Sequence, residues 1–150
     1  MLGYFTDNEL PLYSDNLLDL FLGIDKTNDN FIVVDSWMRS RSGPNYLITD
    51  TDRQDFLEYL TDTYYKTVRD CIRAYDTNHM IIGSRLHGSA KAKYQIFKSA
   101  GKYMDIVSVN VYSWFQLDNS KTANWVESAN KPFLISEFYT KDITYCCQNF

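Results

Sequence analysis

The chain has 150 residues, of which 45% are apolar and 23% charged, close to the averages for a globular domain. This balance excludes a disordered tail, a collagen-like repeat and a small disulfide scaffold, and no apolar run is long enough to span a membrane. The net charge of −4, with basic residues scattered along the chain, is not typical of a nucleic-acid-binding surface.

The predicted elements alternate between short apolar strands and helices with apolar residues at helical spacing. In chain order they are a strand at 2–5, a helix at 15–22, an irregular stretch at 25–50, a helix at 52–75, a strand at 80–83, a helix at 90–100, a strand at 106–111, a helix at 121–129 and a strand at 133–135. Thr51 and Gln54 are predicted to cap the longest helix, and Gly101 to end the next one. The order predicts an α/β fold with parallel strands.

Polar and ionisable residues follow the predicted strands, at the edge where parallel α/β proteins bind ligands. Glu9 follows the first strand and Glu137 the fourth. Two facing carboxylates are the minimum set for retaining glycosidic-bond hydrolysis, in which one attacks the anomeric carbon and the other protonates the leaving oxygen and later activates water. Asn8 is placed to hold a sugar hydroxyl, and Tyr112 to hydrogen-bond the attacking carboxylate.

Other residues at these strand ends are candidates for sugar contacts, each with a structural alternative. The candidates are Arg85, His87, Asn110, Trp114 and Tyr139. Trp114 and Tyr139 could stack on sugar rings or pack beneath loops, and His87 could contact substrate or serve structure. Trp37, in the irregular stretch, could reach over the cleft or pack locally. No ligand set for a metal and no glycine-rich phosphate loop is present, so we expect no metal and no cofactor.

Three motifs carry a resemblance to a known superfamily. They are Asn8-Glu9 after a Gly-Tyr-Phe strand, Asn110-x-Tyr112, and Ser136-Glu137-Phe138 after Pro-Phe-Leu-Ile. They resemble the retaining glycosidases of the clan A type, which are built on a (β/α)8 barrel. The resemblance implies that Glu9 ends strand four as acid/base, that Glu137 ends strand seven as nucleophile, and that Asn8 and Tyr112 support them. Residues 3–10 and Arg85 are most similar to agarase and β-galactosidase-like enzymes, which implies a β-linked, galactan or agarose-type substrate.

A complete barrel of this kind takes about 250 residues. We therefore expect residues 1–150 to be the C-terminal half of a catalytic barrel, with strands four to seven. One alternative is a non-catalytic carbohydrate-binding or structural half-barrel in which the glutamates are relics. Another is a chain that self-associates, because half a barrel leaves two open sheet edges. A carbohydrate is the expected partner, with neither nucleic acid nor membrane, and no signal-peptide pattern indicates a location.

Overall fold

A computed structural model describes residues 1–12, 16–112 and 117–139. Strands and helices alternate through these ranges, as the sequence predicts. The elements are β1 (Gly3–Phe5), α1 (Leu17–Leu22), α2 (Asp29–Ser42), α3 (Asp50–Arg73), β2 (Met80–Gly83), a 3₁₀ helix (Gly88–Ala92), α4 (Tyr94–Tyr103), β3 (Val107–Tyr112), α5 (Asn119–Ala129) and β4 (Phe133–Tyr139).

The strands of the described ranges run parallel in the order of the chain. β1 pairs with β2, and β3 pairs with β4. A parallel bridge between Leu86 and Val109 joins the two pairs, with the Leu86 amide donating to the Ser108 carbonyl at 2.9 Å and the Asn110 amide to the Leu86 carbonyl at 2.8 Å. The carboxyl ends of all these strands therefore lie along one edge, although the described residues form no closed barrel.

A register shift in β4 decides which way its last residues face. Val109 pairs with Ile135 but Asn110 pairs with Glu137, so Ser136 is an extra residue in β4. Because side chains alternate along a strand, one extra residue turns all later side chains to the other face. The bulge therefore places Glu137 on the same face of the sheet as Asn110.

The opposite face of the sheet packs against helices and forms the main core. Val107 and Val109 of β3 are buried there against Phe97 of α4 and Trp125 of α5. The ring of Trp125 stacks on that of Phe97 with centroids 6.0 Å apart and planes 4° apart. This apolar layer is the platform on which the polar face is built.

The expected irregular stretch at 25–50 is wrong, because α2 occupies most of it. The Asn28 side chain accepts a hydrogen bond from the Asn30 amide and caps the helix, and Gly43, with φ of 83°, ends it. Val34 and Met38 are buried one turn apart on one side. Successive apolar residues 31–34 obscure this amphipathic pattern, and the cap has the composition of a turn.

Trp37 lies on α2 and packs within a second apolar cluster. Its ring meets Phe56 of α3 at 5.4 Å and stacks on Tyr59 at 5.6 Å. Leu18 of α1 and Met38 of α2 are fully buried in the same cluster. The alternative that Trp37 packs locally is therefore the one the structure shows.

Two predicted helix ends also differ in the structure. The capping box of α3 is formed by Thr49 and Asp52, two residues before the expected pair of Thr51 and Gln54. α4 continues through Gly101, where a Cβ atom would lie 2.0 Å from the Ala129 carbonyl oxygen of α5. Gly101 therefore permits two helices to approach closely instead of ending one.

Candidate functional site

Glu137 is held by two side chains at the carboxyl edge of the sheet. The hydroxyl of Tyr112 on β3 donates to Oε2, and the guanidinium of Arg85 contacts Oε1. The hydrogen bond from Tyr112 is the main cause that lowers the pKa of the Glu137 carboxyl, and the charge of Arg85 lowers it further. The same hydrogen bond raises the pKa of Tyr112 to about 12. Glu137 is thus kept ionised, the state required of a nucleophile.

Glu9 lies four residues beyond the end of β1, in a turn with φ of 56°. Its amide donates to the Ser84 carbonyl at 3.2 Å, which ties this turn to the segment after β2. Its Oε1 accepts a hydrogen bond of 2.7 Å from Nδ2 of Asn110, and its Oε2 lies 3.8 Å from Nδ1 of His87. Side chains from two other strand ends therefore surround this carboxylate.

Asn110 links the surroundings of the two glutamates. Asn110 is fully buried. Its side-chain Nδ2 donates to Glu9, and its Oδ1 accepts from the Ser136 hydroxyl at 2.8 Å. An interaction with Asn110 also contributes to the lowered pKa of Glu137. The side chain of Asn110, a predicted sugar contact, thus hydrogen-bonds to protein groups around both carboxylates, and its contact with a sugar stays a prediction.

Aromatic rings border the pair. The ring of Tyr112 stacks on Tyr139 with centroids 5.2 Å apart, and the ring of His87 meets Tyr112 edge-on at 5.3 Å. Tyr139 remains 46% exposed. The structure thus brings His87, Tyr112 and Tyr139 together beside the two glutamates.

Arg85 is positioned by an uncommon backbone conformation. Its φ is 50°, and its amide donates to the Ser108 hydroxyl at 2.9 Å. The guanidinium carbon lies 5.2 Å from the centroid of the Phe5 ring, and the side chain reaches Glu137. The Nε atom of Arg85 is buried without a hydrogen-bond partner among the described residues. Arg85 therefore acts on Glu137 directly.

A cleft of about 800 Å³ opens beside Tyr112, between the 3₁₀ helix and α5. Lys91 and Lys121 line it, together with Trp125. The Lys91 ammonium donates to the Asn110 carbonyl at 2.7 Å; burial lowers its pKa, and the charge of Lys121 lowers it further. Tyr112 belongs both to this cleft and to the surroundings of Glu137, whereas neither Glu9 nor Glu137 lines the cleft.

The remaining candidates fall outside this cluster or outside the described ranges. Asn8 is exposed, and its backbone amide donates a hydrogen bond to the Asp7 carboxylate at 2.6 Å. Trp114 lies outside the described residues. The side chain of His79 hydrogen-bonds to Asp76, and the carboxylate of Asp105 accepts a hydrogen bond from the Ile81 amide.

Lys91 and Ser136 contact Asn110 but were not among the predicted site residues. Ser136 stands inside the Ser-Glu-Phe motif, which is the one sequence signal for it, whereas nothing in the sequence marks Lys91. Within the described ranges, no group of three His, Cys, Asp or Glu residues is arranged to hold a metal ion. No helix in those ranges has the length and apolar character needed to cross a membrane.

Comparison with known proteins shows what the chain is similar to. No protein-family model matches the chain. Beta-agarase B of Vibrio sp. (strain JT0107) is 27% identical over an alignment of 138 residues, which covers 85% of this chain and 14% of that protein. The crystal structure of BpGH50 has a TM-score of 0.79 at 33% identity, covering 93% of this chain and 32% of its own.

An exo-beta-agarase structure has a TM-score of 0.78 at 20% identity, covering 92% of this chain and 23% of its own, a likeness of fold. The chain thus spans less than a third of the length of each of these proteins. The chain is similar in sequence to a part of beta-agarase B, and in fold to a part of each of the two solved structures.

Proposed function

We propose that the chain supplies the catalytic carboxylates of a retaining glycoside hydrolase that cleaves β-glycosidic bonds of an agarose-type galactan. In this proposal Glu137 attacks the anomeric carbon and Glu9 protonates the leaving oxygen. Glu9 then removes a proton from the water that releases the sugar from Glu137, so the product keeps the β configuration.

The observation that carries the proposal is that the two carboxylates have different hydrogen-bond and charge partners. Glu137 receives a hydroxyl donor and a guanidinium, and both lower its pKa. Glu9 receives one neutral amide donor at Oε1 and faces the imidazole of His87 with Oε2. Two carboxyl groups with different environments at one strand edge are the arrangement expected of a nucleophile and an acid/base.

The likeness to agarases supports the substrate class. Beta-agarase B and an exo-beta-agarase are named for action on agarose, and the chain aligns with 85% and 92% of its length on them. The parallel order of β1 to β4 supports the further proposal that the chain forms strands four to seven of a (β/α)8 barrel. The exposed rings of Tyr139 and His87 beside the carboxylates suit a sugar chain.

The test is carried out on the protein encoded by the complete reading frame in which this chain lies. Glu137→Gln and Glu9→Gln are each expected to abolish the release of reducing ends from agarose. Glu127→Gln, which changes an exposed glutamate of α5 in the same way, is the matched control and keeps activity. Turnover that survives Glu137→Gln contradicts the proposal.

Azide distinguishes the two roles. In Glu137→Gly, azide occupies the place of the nucleophile and is expected to give an α-glycosyl azide. In Glu9→Ala, azide replaces the activated water in the second step and is expected to give a β-glycosyl azide. Sugar binding without turnover by the unchanged protein favours the non-catalytic alternative instead.

Self-association through the sheet edges stays a prediction. Within the described ranges, β1 and β4 each pair on one side, and Phe138 of β4 is 74% exposed. Light scattering tests it, since a strictly monomeric, well-folded protein would contradict it.

A further inference from the structure

The extra residue of β4, Ser136, lies directly behind the side chain that contacts Glu9. The Ser136 hydroxyl donates to Oδ1 of Asn110 at 2.8 Å and lies 3.2 Å from the Val109 carbonyl. Asn110 in turn donates from Nδ2 to Oε1 of Glu9 at 2.7 Å. A continuous line of hydrogen bonds therefore runs from the bulge to the carboxylate.

The orientation of the Asn110 amide decides what Glu9 receives. If the amide were rotated by half a turn, its oxygen would face Oε1 and its NH₂ group would face Ser136. Because Asn110 is fully buried, its amide oxygen cannot accept a hydrogen bond from solvent and needs a donor from the protein. The ionised carboxylate of Glu9 can only accept, and the Ser136 hydroxyl donates to Oδ1 at the shorter of its two contacts, so both neighbours together favour the orientation in which Glu9 receives a donor.

The donor at Oε1 has a consequence for the proton of Glu9. A carboxyl oxygen that accepts an N–H hydrogen bond is a poor place for the acidic proton, so the proton belongs on Oε2. Oε2 is the oxygen that faces His87. Lys91 and Tyr112 are the other charged or titratable groups whose interaction with Glu9 the structure shows.

We propose that Ser136 is a positioning residue that, through Asn110, fixes Oε2 as the oxygen from which Glu9 delivers its proton. This inference rests on the proposed function, because it assigns Glu9 the part of the acid. Ser136 itself touches neither the carboxylate nor, in this role, the sugar.

The test compares leaving groups. An aryl β-galactoside with a dinitrophenolate leaving group needs no proton in the first step, whereas one with a phenolate leaving group does. Ser136→Ala removes one neutral hydrogen bond, the one to Asn110. It is expected to lower kcat/KM for the phenyl galactoside by about three- to tenfold. The value for the dinitrophenyl galactoside should fall less, because that reaction loses only the smaller contribution of Asn110 to Glu137. Ser136→Thr, which keeps the hydroxyl, should restore kcat/KM for the phenyl galactoside.

Ser99→Ala is the matched control. Ser99 is fully buried, whereas Ser136 is partly buried, and it shares a hydrogen bond of 3.0 Å with Thr61 between α3 and α4, away from the glutamates. Ser99→Ala should leave kcat/KM unchanged for both galactosides. An equal loss for both galactosides in Ser136→Ala overturns the inference and leaves the proposed function standing. Absence of turnover by the unchanged protein on both galactosides and on agarose overturns the proposed function.

A second measurement covers the case in which Ser136→Ala does not fold. In the unchanged protein, the side-chain amide protons of Asn110 should exchange slowly with solvent in nuclear magnetic resonance spectra. Their signals should also shift in Glu9→Gln, since the acceptor changes. Fast exchange, or signals unaffected by Glu9→Gln, would overturn the inference.

Discussion

Trp125 joins the core of the molecule to the candidate site, and its replacement tests that connection. Its ring is 6% exposed, stacks on Phe97 and meets Phe133 edge-on at 5.6 Å. Its Nε1 donates to the Lys91 carbonyl at 2.8 Å, and the Lys91 ammonium donates to the Asn110 carbonyl at 2.7 Å. Trp125→Ala removes both the ring and the hydrogen bond, whereas Trp125→Phe removes mainly the hydrogen bond.

The two variants should differ in size of effect. Truncating a buried Trp to Ala costs about 3–5 kcal/mol of unfolding free energy. Losing a neutral hydrogen bond costs about 0.5–1.5 kcal/mol. At about 2–4 °C per kcal/mol for a domain of this size, Tm should fall by roughly 6–20 °C in Trp125→Ala and by roughly 1–6 °C in Trp125→Phe.

Thermal unfolding followed by circular dichroism measures both shifts. Tyr75→Ala is the control, because the Tyr75 side chain is 95% exposed and its removal should leave Tm nearly unchanged. Trp125→Phe should also weaken turnover more than its small loss of stability accounts for, since the Lys91 segment lies against Asn110. Equal small shifts in Trp125→Ala and Trp125→Phe would refute the assignment of the ring stack to the core.

Two further predictions concern the nucleophile and the helix contact. Tyr112→Phe removes the donor that most lowers the pKa of Glu137. Since Glu137, as the proposed nucleophile, must be ionised, the acid limb of the profile of kcat/KM against pH should move to higher pH, and an unmoved limb would count against the proposed role of Glu137. Gly101→Ala would place a Cβ atom 2.0 Å from the Ala129 carbonyl oxygen, so we expect a loss of about 1–3 kcal/mol despite the better helix propensity of Ala. Thermal unfolding of Gly101→Ala measures this loss of stability, and a raised Tm would contradict the close contact between α4 and α5.

The places of the strands could be predicted from the sequence because each is a short apolar run between turn residues. The starts of β2 and β4 agree with the prediction, and that of β3 differs by one residue. The end of β4 was placed too early, because Ser136 and Glu137 interrupt the apolar pattern although their backbone continues the ladder. Polar residues on the inner face of a sheet weaken the very signal by which a strand is recognised.

The α2 helix could not be predicted for a different reason. Its buried residues, Val34 and Met38, are few, and apolar Ile32 and Val33 are exposed beside them. A helix that buries little of its apolar surface shows weak periodicity, and its place depends on the aromatic cluster that covers it. That cluster is formed with α1 and α3, the helices before and after α2 in the chain, and the pattern of α2 alone does not show how they pack on it.

The place of the two glutamates at one edge of the sheet could be predicted, but the contacts between the residues around them could not. The sequence orders Glu9, Arg85, Asn110 and Glu137 along strand ends, which predicts a shared edge. It does not indicate that Asn110 faces Glu9 or that Arg85 reaches Glu137, because those contacts depend on backbone torsions and register.

Three local departures from regular geometry meet at this site, and together they argue for function over chance packing. Among the described residues, Glu9, Arg85 and Asn130 are the non-glycine residues with positive φ, and the first two hold side chains of the site. Each such conformation costs about 1–3 kcal/mol and persists only where the surrounding structure determines it. The bulge at Ser136 is the third departure, and it turns Glu137 towards Asn110 and Tyr112. A chain that needed only a stable sheet would gain by losing all three, whereas a site that must aim two carboxylates at one bond requires them.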